Sequence, residues 1–287
     1  MVGAHAIAPS EHAWTEVPLR ARLVRLFTAA PHPALAADVE HLWWLESSAP
    51  LPRPVARACA AKLAVDVVLT LEGHFAEAAE RRLLRGGERA PYVIGPTGAP
   101  AEAVASGRCV AVGARLRPGR AGGLLRASGG ELRDEVARLD ELCGRAVAGL
   151  REPAAEGPRA AIVALERALL ALLERAAAPD PRVDEALRLI GRSRGRLAVE
   201  ALARRSGTTV RQLQRRFRDR VGLSPKQGCR IARAEHAAGL LGAAGRVDFG
   251  DVVDACGFYD QAHLIRELRA LAGATPGALR RARGGCE

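Results

Sequence analysis

The chain has 287 residues, a formal net charge of +11 and only two lysines, Lys62 and Lys226, so arginine supplies nearly all of its positive charge. That length accommodates two domains with cores of their own. The six cysteines stand 27 to 86 residues apart, with no C-x-x-C pair and no His/Cys cluster. This excludes a zinc-finger or disulfide-scaffold reading and leaves reduced thiols as the expectation. The N-terminus has no basic segment followed by an apolar core, and no apolar run approaches about 18 residues, so export and membrane spanning are disfavoured and a cytoplasmic location is expected.

Residues 1–17 are small, polar and proline-dotted and are expected to form a flexible tail. From 18 to 128 the hydrophobic period is mostly two, with Gly/Pro punctuation. Strands are expected around Leu23–Phe27, Val39–Leu45, Leu63–Leu71, Tyr92–Ile94 and Cys109–Leu116, with a helical pattern at Ala76–Leu84 interrupting them. Three aromatic residues, Trp43, Trp44 and Phe75, are candidates to line a pocket or, in a chain this poor in aromatics, to fill the core. From Glu131 the period changes: Leu132, Val136, Leu139 and Leu142 fit one helix face, and Ile162, Leu165, Leu169, Leu172 and Leu173 fit another. The span 129–178 therefore reads as a helical linker. Its leucine face at 162–173 is too short for a sustained heptad seam, so packing within its own chain is favoured over dimerisation. Pro179-Asp180-Pro181 marks a boundary, and Val183–Ile190 begins the C-terminal region, 179–287.

That region contains one pattern written twice. LARRSGTTVRQLQRRFRDRVGLSP is answered by VVDACGFYDQAHLIRELRALAGATP: Gly207 matches Gly257 at an offset of 50, then Leu213 matches Leu264, Phe217 Leu268, Gly222 Gly273 and Pro225 Pro276 at 51. Each copy is a short amphipathic segment, a glycine turn and a longer amphipathic segment closed by Gly and a Ser-Pro or Thr-Pro. That is the pattern of a helix-turn-helix, with units about 196–222 and 247–273. Thr209 and Asp260 are expected to cap the second helices, with Leu213, Phe217, Val221, Leu264 and Leu268 facing the core. Arg211, Gln214, Arg215 and Arg218 then share an outward face. Arginine can fork to guanine O6 and N7 and glutamine can pair with adenine, so this face has the chemistry of major-groove readout. Arg204, Arg205, Arg216 and Arg220 lie elsewhere and suit phosphate contact or solvation. In the second copy Gln261, Ala262, His263, Ile265 and Arg266 occupy the outward positions and offer fewer hydrogen bonds. Charge divides the same way: residues 196–233 hold eleven Arg/Lys against two acids, whereas 234–287 hold six against seven. A polyanion partner is expected chiefly for the first unit.

These stretches, with the linking pattern RIARAEHAAGLL, resemble the DNA-binding domain of the AraC/XylS family of bacterial transcription regulators. The resemblance implies an α+β chain: a β-rich sensor half, then an all-α domain with two helix-turn-helix units joined by one long helix. Each unit would place a recognition helix in successive major-groove turns, together reading roughly 20 bp. By alignment the base-facing set is Arg211, Gln214, Arg215, Gln261, Ala262, His263, Ile265 and Arg266. Gly228 stands where the family usually has an aromatic residue, Ala234 where it often has leucine, and Leu268 where it usually has phenylalanine. A subgroup with a β-rich N-terminal half is resembled more weakly, through Tyr92–Thr97, Val112–Gly119 and Asp66–Leu69. Its Pro-Asp-Gly turn is replaced here by Ala60–Ala64.

The expected partner is double-stranded DNA. RNA polymerase, a small-molecule effector at the N-terminal domain and a second copy of the chain are further candidates. No metal or cofactor is expected, since His32, His41 and His74 do not form a legible cluster. Two other classes remain to be weighed. One is an enzyme fused to a DNA-binding domain, such as a DNA-repair alkyl acceptor, which needs an activated cysteine. The other is a protein-binding module whose second unit has lost DNA contact.

Overall fold

A computed structural model describes residues 12–17, 24–78, 91–150, 156–242 and 248–284. The N-terminal half is built on one antiparallel sheet of β1 (Thr15–Val17), β2 (Val24–Ala29), β3 (Val39–Ser47), β4 (Leu51–Cys59), β5 (Val65–Ala78), β6 (Tyr92–Ile94), β7 (Ala101–Leu116) and β8 (Val136–Arg138). The order is β1-β2-β3-β7-β5-β6-β8, with β4 also paired to β7. Strand β7 is the spine. β5 runs along most of one side, while β3 takes its Val110–Leu116 end and β4 its Ala101–Gly107 end on the other.

The residues of β7 explain that position. Val110, Val112, Ala114 and Leu116 alternate on one face and are buried in the main apolar core with Leu42, Val67 and Leu69. On the opposite face Gly113 makes room for Trp43, since a Cβ there would overlap the indole ring. Trp44 packs against the main core, edge-on to Trp14 at 6.1 Å and tilted on Phe27 at 5.5 Å. The two tryptophans are thus packing residues; the Phe75 side chain lies outside the described residues.

The sheet is covered by α1 (Ala121–Leu125), α2 (Gly129–Leu132), α3 (Leu139–Cys143), a 3-10 turn at Gly144–Leu150 and α4 (Pro158–Leu173). Ile162, Leu165, Leu169 and Leu172 of α4 are all buried in the same core. At about 1.5–3 kcal/mol per buried aliphatic side chain they contribute several kcal/mol to this layer. The leucine face is therefore used within the chain.

Several expectations are corrected. Thr15–Val17, placed in a flexible tail, pair with β2; residues 1–11 lie outside the described set. Ala76–Ala78 belong to β5 and not to a helix, and the rest of that pattern, 79–84, is outside the described residues. The single helix face of Leu132, Val136, Leu139 and Leu142 is divided among α2, β8 and α3. Asp134, at φ 55°, turns the chain after α2, and Val136–Arg138 then pair with β6.

The C-terminal half is helical: α5 (Pro181–Ser193), α6 (Val199–Arg205), α7 (Val210–Val221), α8 (Pro225–Gly242), α9 (Phe249–Cys256), α10 (Gln261–Ala272) and α11 (Pro276–Gly284). It has two buried clusters. One joins α5, α6 and α7 around Ile190, Leu202, Leu213 and Phe217. The other joins α8, α9 and α10 around Ile231, Val252, Leu264 and Leu268. No helix among the described residues is long and apolar enough to cross a membrane.

Candidate nucleic-acid interface

Helix α7 starts where its sequence dictates. The Thr209 side chain accepts the Gln212 amide at 3.3 Å and Gln212 Oε1 accepts the Thr209 amide at 3.4 Å, a reciprocal capping box. The helix stops at Gly222, whose φ of 86° is left-handed. Leu213, Phe217 and Val221 recur every four residues and are buried to 2 % exposure or less. That burial fixes the helix's rotation and turns Arg211, Gln214, Arg215 and Arg218 outward. These four, with Thr209 and Gln212, line one open groove of about 670 Å³. Arg211, Arg215 and Arg218 are exposed and make no ion pair among the described residues. Their guanidinium groups are available to an external anion or base edge.

Arg216, one position from that face, is engaged elsewhere. Its Nη1 meets Asp180 Oδ2 at 2.6 Å, and Asp180 also caps α5 through the Arg182 amide at 3.0 Å. The arginine therefore ties unit one to α5. Arg220 leans on Asp219 at 3.6 Å, and Arg204 and Arg205 are exposed.

Helix α10 is built alike with different chemistry. Asp260 Oδ1 accepts the His263 amide at 2.6 Å, Leu264 and Leu268 are fully buried, and Gly273 closes the helix at φ 65°. Gln261, Ala262 and Arg266 are exposed and Ile265 is half-buried. The His263 ring is edge-on to Phe258 at 5.4 Å, and its Nδ1 accepts the Tyr259 amide at 3.3 Å. This residue thus holds the turn in shape. Tyr259 itself, 91 % exposed at the N-terminal end of α10, was not among the expected contacts. Behind the helix, Glu267 receives Arg230 of α8 at 2.8 and 2.9 Å, and that hydrogen-bonded guanidinium holds its carboxyl below the ordinary value.

Three of the described cysteines, Cys143, Cys229 and Cys256, do not have the setting of an alkyl acceptor. Burial pushes the thiols of Cys143 and Cys229 up to about 11, and that of Cys256 upward as well. A thiol so shifted is almost wholly protonated at neutral pH and a poor nucleophile. Among the described residues no group of three or more His, Cys, Asp or Glu is placed to hold a metal ion.

Comparisons with known proteins bear on the two halves separately. Residues 202–282 match a family model described as a helix-turn-helix domain, and residues 27–138 match a domain of unknown function. No curated protein matches the chain. Among solved structures, a probable AraC family transcriptional regulator from Rhodopseudomonas palustris CGA009 is 27% identical over 36% of this chain and 99% of that one, with a TM-score of 0.33. The DNA-binding domain of AdpA, a global transcriptional factor solved in complex with a target DNA, is 29% identical over 38% of this chain and 99% of that one, with a TM-score of 0.34. ToxT from Vibrio cholerae is 7% identical over 81% of this chain and 99% of that one, with a TM-score of 0.46. The matched helix-turn-helix model lies on a motif written twice around α8, and the chain is a DNA-binding transcription regulator of the helix-turn-helix kind.

Proposed function

We propose that the protein reads an asymmetric DNA site with two recognition helices, α7 and α10, in successive major-groove turns, and that α7 supplies most of the affinity. The observation that carries this reading is the exposed groove along α7, where Arg211, Gln214, Arg215 and Arg218 converge with no ion pair among the described residues to occupy them. On α10 the reading assigns Gln261, Ala262, Ile265 and Arg266 to base edges, with His263 flanking the first turn. Ala262 and Ile265 suit thymine methyl groups, which discriminate less than a bidentate pair. The same reading gives the N-terminal half a modulating role, with RNA polymerase, a small-molecule effector or a second copy as the candidate partners through which binding becomes regulation.

The test is selection of genomic fragments by the full-length protein, followed by footprinting and titration of the best site. Protection across two groove turns is expected. Arg215→Ala should weaken binding by about 5–150-fold, the equivalent of roughly 1–3 kcal/mol for a bidentate contact, and relax the preference at one position. Arg266→Ala should cost distinctly less. Equal losses from the two substitutions would contradict the division of labour, and no enriched sequence would remove the DNA-reading assignment.

A further inference from the structure

The C-terminal ends of both recognition helices rest on the N-terminal half, and they do so at equivalent positions of the repeat. At α7, Gly222 lies directly against Gly129 of α2. A Cβ on either glycine would run into the backbone of the other, and one on Gly222 would also lie 2.8 Å from Pro96 Cγ. At α10, the Leu271 carbonyl accepts the Ala61 amide at 2.7 Å, and a Cβ on Gly273 would lie 3.2 Å from Pro100 Cβ and 3.4 Å from Ala58 Cβ. Gly222 and Gly273 are the same residue of the two copies, 51 apart. Between these two footholds, Leu63 packs against both helical cores, and among the described residues it alone does so.

The supporting surface is stiff. The loops that carry Ala58–Leu63 and Pro96–Pro100 are joined by paired backbone hydrogen bonds between Lys62 and Thr97, at 3.1 and 2.9 Å. Lys62 is pinned to Asp66 at 2.8 Å, and Asp66 in turn receives Arg115 at 2.9 and 3.0 Å. Apart from α8 itself, the direct ties between the two helical units are polar. Arg233 donates to the Gly195 carbonyl at 3.4 Å and the Gly257 carbonyl at 3.2 Å, and Arg196 donates to the Ala255 carbonyl at 3.5 Å.

We propose that this pad on the N-terminal half, formed by Ala58, Ala61, Leu63, Pro96, Pro100 and Gly129, is the gauge that sets the separation and phase of the two reading helices. It acts through α7 and α10, so its residues are positioning residues and not DNA contacts. Separation matters because one base pair moves a half-site by about 3.4 Å along the duplex and about a tenth of a turn around it. Helix α8 already links the two cores, giving Cys229 to the first and Ile231, Ala234 and Ala237 to the second; the pad adds a second tie at the C-terminal ends of α7 and α10, which keeps either unit from pivoting about α8.

The inference rests on the two-helix reading, and the experiment separates the two. Full-length wild type, Leu63→Ala and Gly129→Ala are titrated against the selected site and a series in which the half-sites are moved apart or together one base pair at a time. Thermal melts of each protein run alongside. Wild type should show a sharp optimum, losing at least about ten-fold per base pair of displacement, which corresponds to about 1.4 kcal/mol. The variants should flatten that profile while keeping the same base preferences within each half-site, a change that a general loss of stability does not produce. Leu63→Ala decides the matter if Gly129→Ala does not fold. Wild-type protection across two groove turns with a profile unchanged by the variants overturns the gauge alone. Protection of a single turn by wild type overturns the gauge together with the two-helix reading.

Discussion

Replacing Asp66 by alanine is expected to destabilise the protein by about 3 kcal/mol, read as a shift in a urea or thermal unfolding curve. The carboxylate is buried at 4 % exposure and receives Lys62 and both arms of Arg115. Burial alone would raise its pKa, but the two positive charges and their hydrogen bonds outweigh burial and lower it to about 2. Removing one partner of a buried ionic cluster typically costs about 3–5 kcal/mol, because the remaining charges are left uncompensated. The Lys62 side chain is 16% exposed and that of Arg115 37%, so water partly solvates the arginine left behind, which selects the lower end of that range.

The pH dependence follows with a definite sign. The folded carboxyl stays ionised down to about 2, whereas the unfolded one binds its proton near 3.8. Its contribution is therefore complete at neutral pH and is lost as pH falls from about 4 through about 2, a change of roughly 2 kcal/mol. Asp66→Asn, which keeps the shape and removes the charge, should be less stable at neutral pH and lose less on acidification. An acid limb identical to that of wild type would exclude Asp66 as its source.

Across the cluster, Glu235 of α8 faces the same arginine. Burial pushes its carboxyl above the ordinary value, Arg115 opposes that, and Glu40 adds to it. The charge network under the pad thus extends onto the helix joining the two helix-turn-helix units. Loss of Asp66 should loosen the pad as well as the sheet.

The helical half was legible because its signals are local. Thr209, Asp260, Gly222 and Gly273 mark helix ends within a few residues of the apolar positions they frame, so pattern and cap specify the same element. The β-rich half was less so. Strand β4 carries Pro52 and Pro54 and mostly exposed side chains, so it shows no clean alternation. It tolerates them as a strand paired, among the described residues, only to β7. Leu132, Val136 and Leu139 are spaced like a helix face, and Leu132 and Leu139 are both buried, but on separate short elements that enter one core from different directions. The outward face of α7 could be taken from the sequence because helix geometry alone places Arg211, Gln214, Arg215 and Arg218 away from the buried leucine. The contact of Gly129 with Gly222 could not, since it joins residues 93 positions apart through the absence of side chains.

The departure of Gly228 from the family pattern has a volumetric explanation, and it leads to the second large effect. In unit one Phe217 is fully buried, and a Cβ at Gly228 would lie 3.3 Å from its ring, so the glycine on α8 leaves the space the phenylalanine fills. The equivalent positions in unit two, 51 residues on, are Leu268, buried in the second core, and Leu279, packed against it. One repeat thus uses a large and a vanishing side chain where the other uses two of middle size. Phe217→Ala should cost about 3–5 kcal/mol, the range for emptying a buried aromatic site. It should also weaken DNA binding, because Phe217 fixes the rotation of the face opposite. Gly228→Leu alone should be destabilising by about 1–3 kcal/mol through overpacking against the ring. Combining Phe217→Leu with Gly228→Leu installs the unit-two pair in unit one, and the double variant should be more stable than the sum of the single losses by about 0.5–3 kcal/mol. Unfolding curves for the four proteins of the cycle measure that coupling, and strictly additive losses would mean that the two positions do not share one space. DNA affinity recovering in step with stability would tie the packing behind α7 to the arginines in front of it.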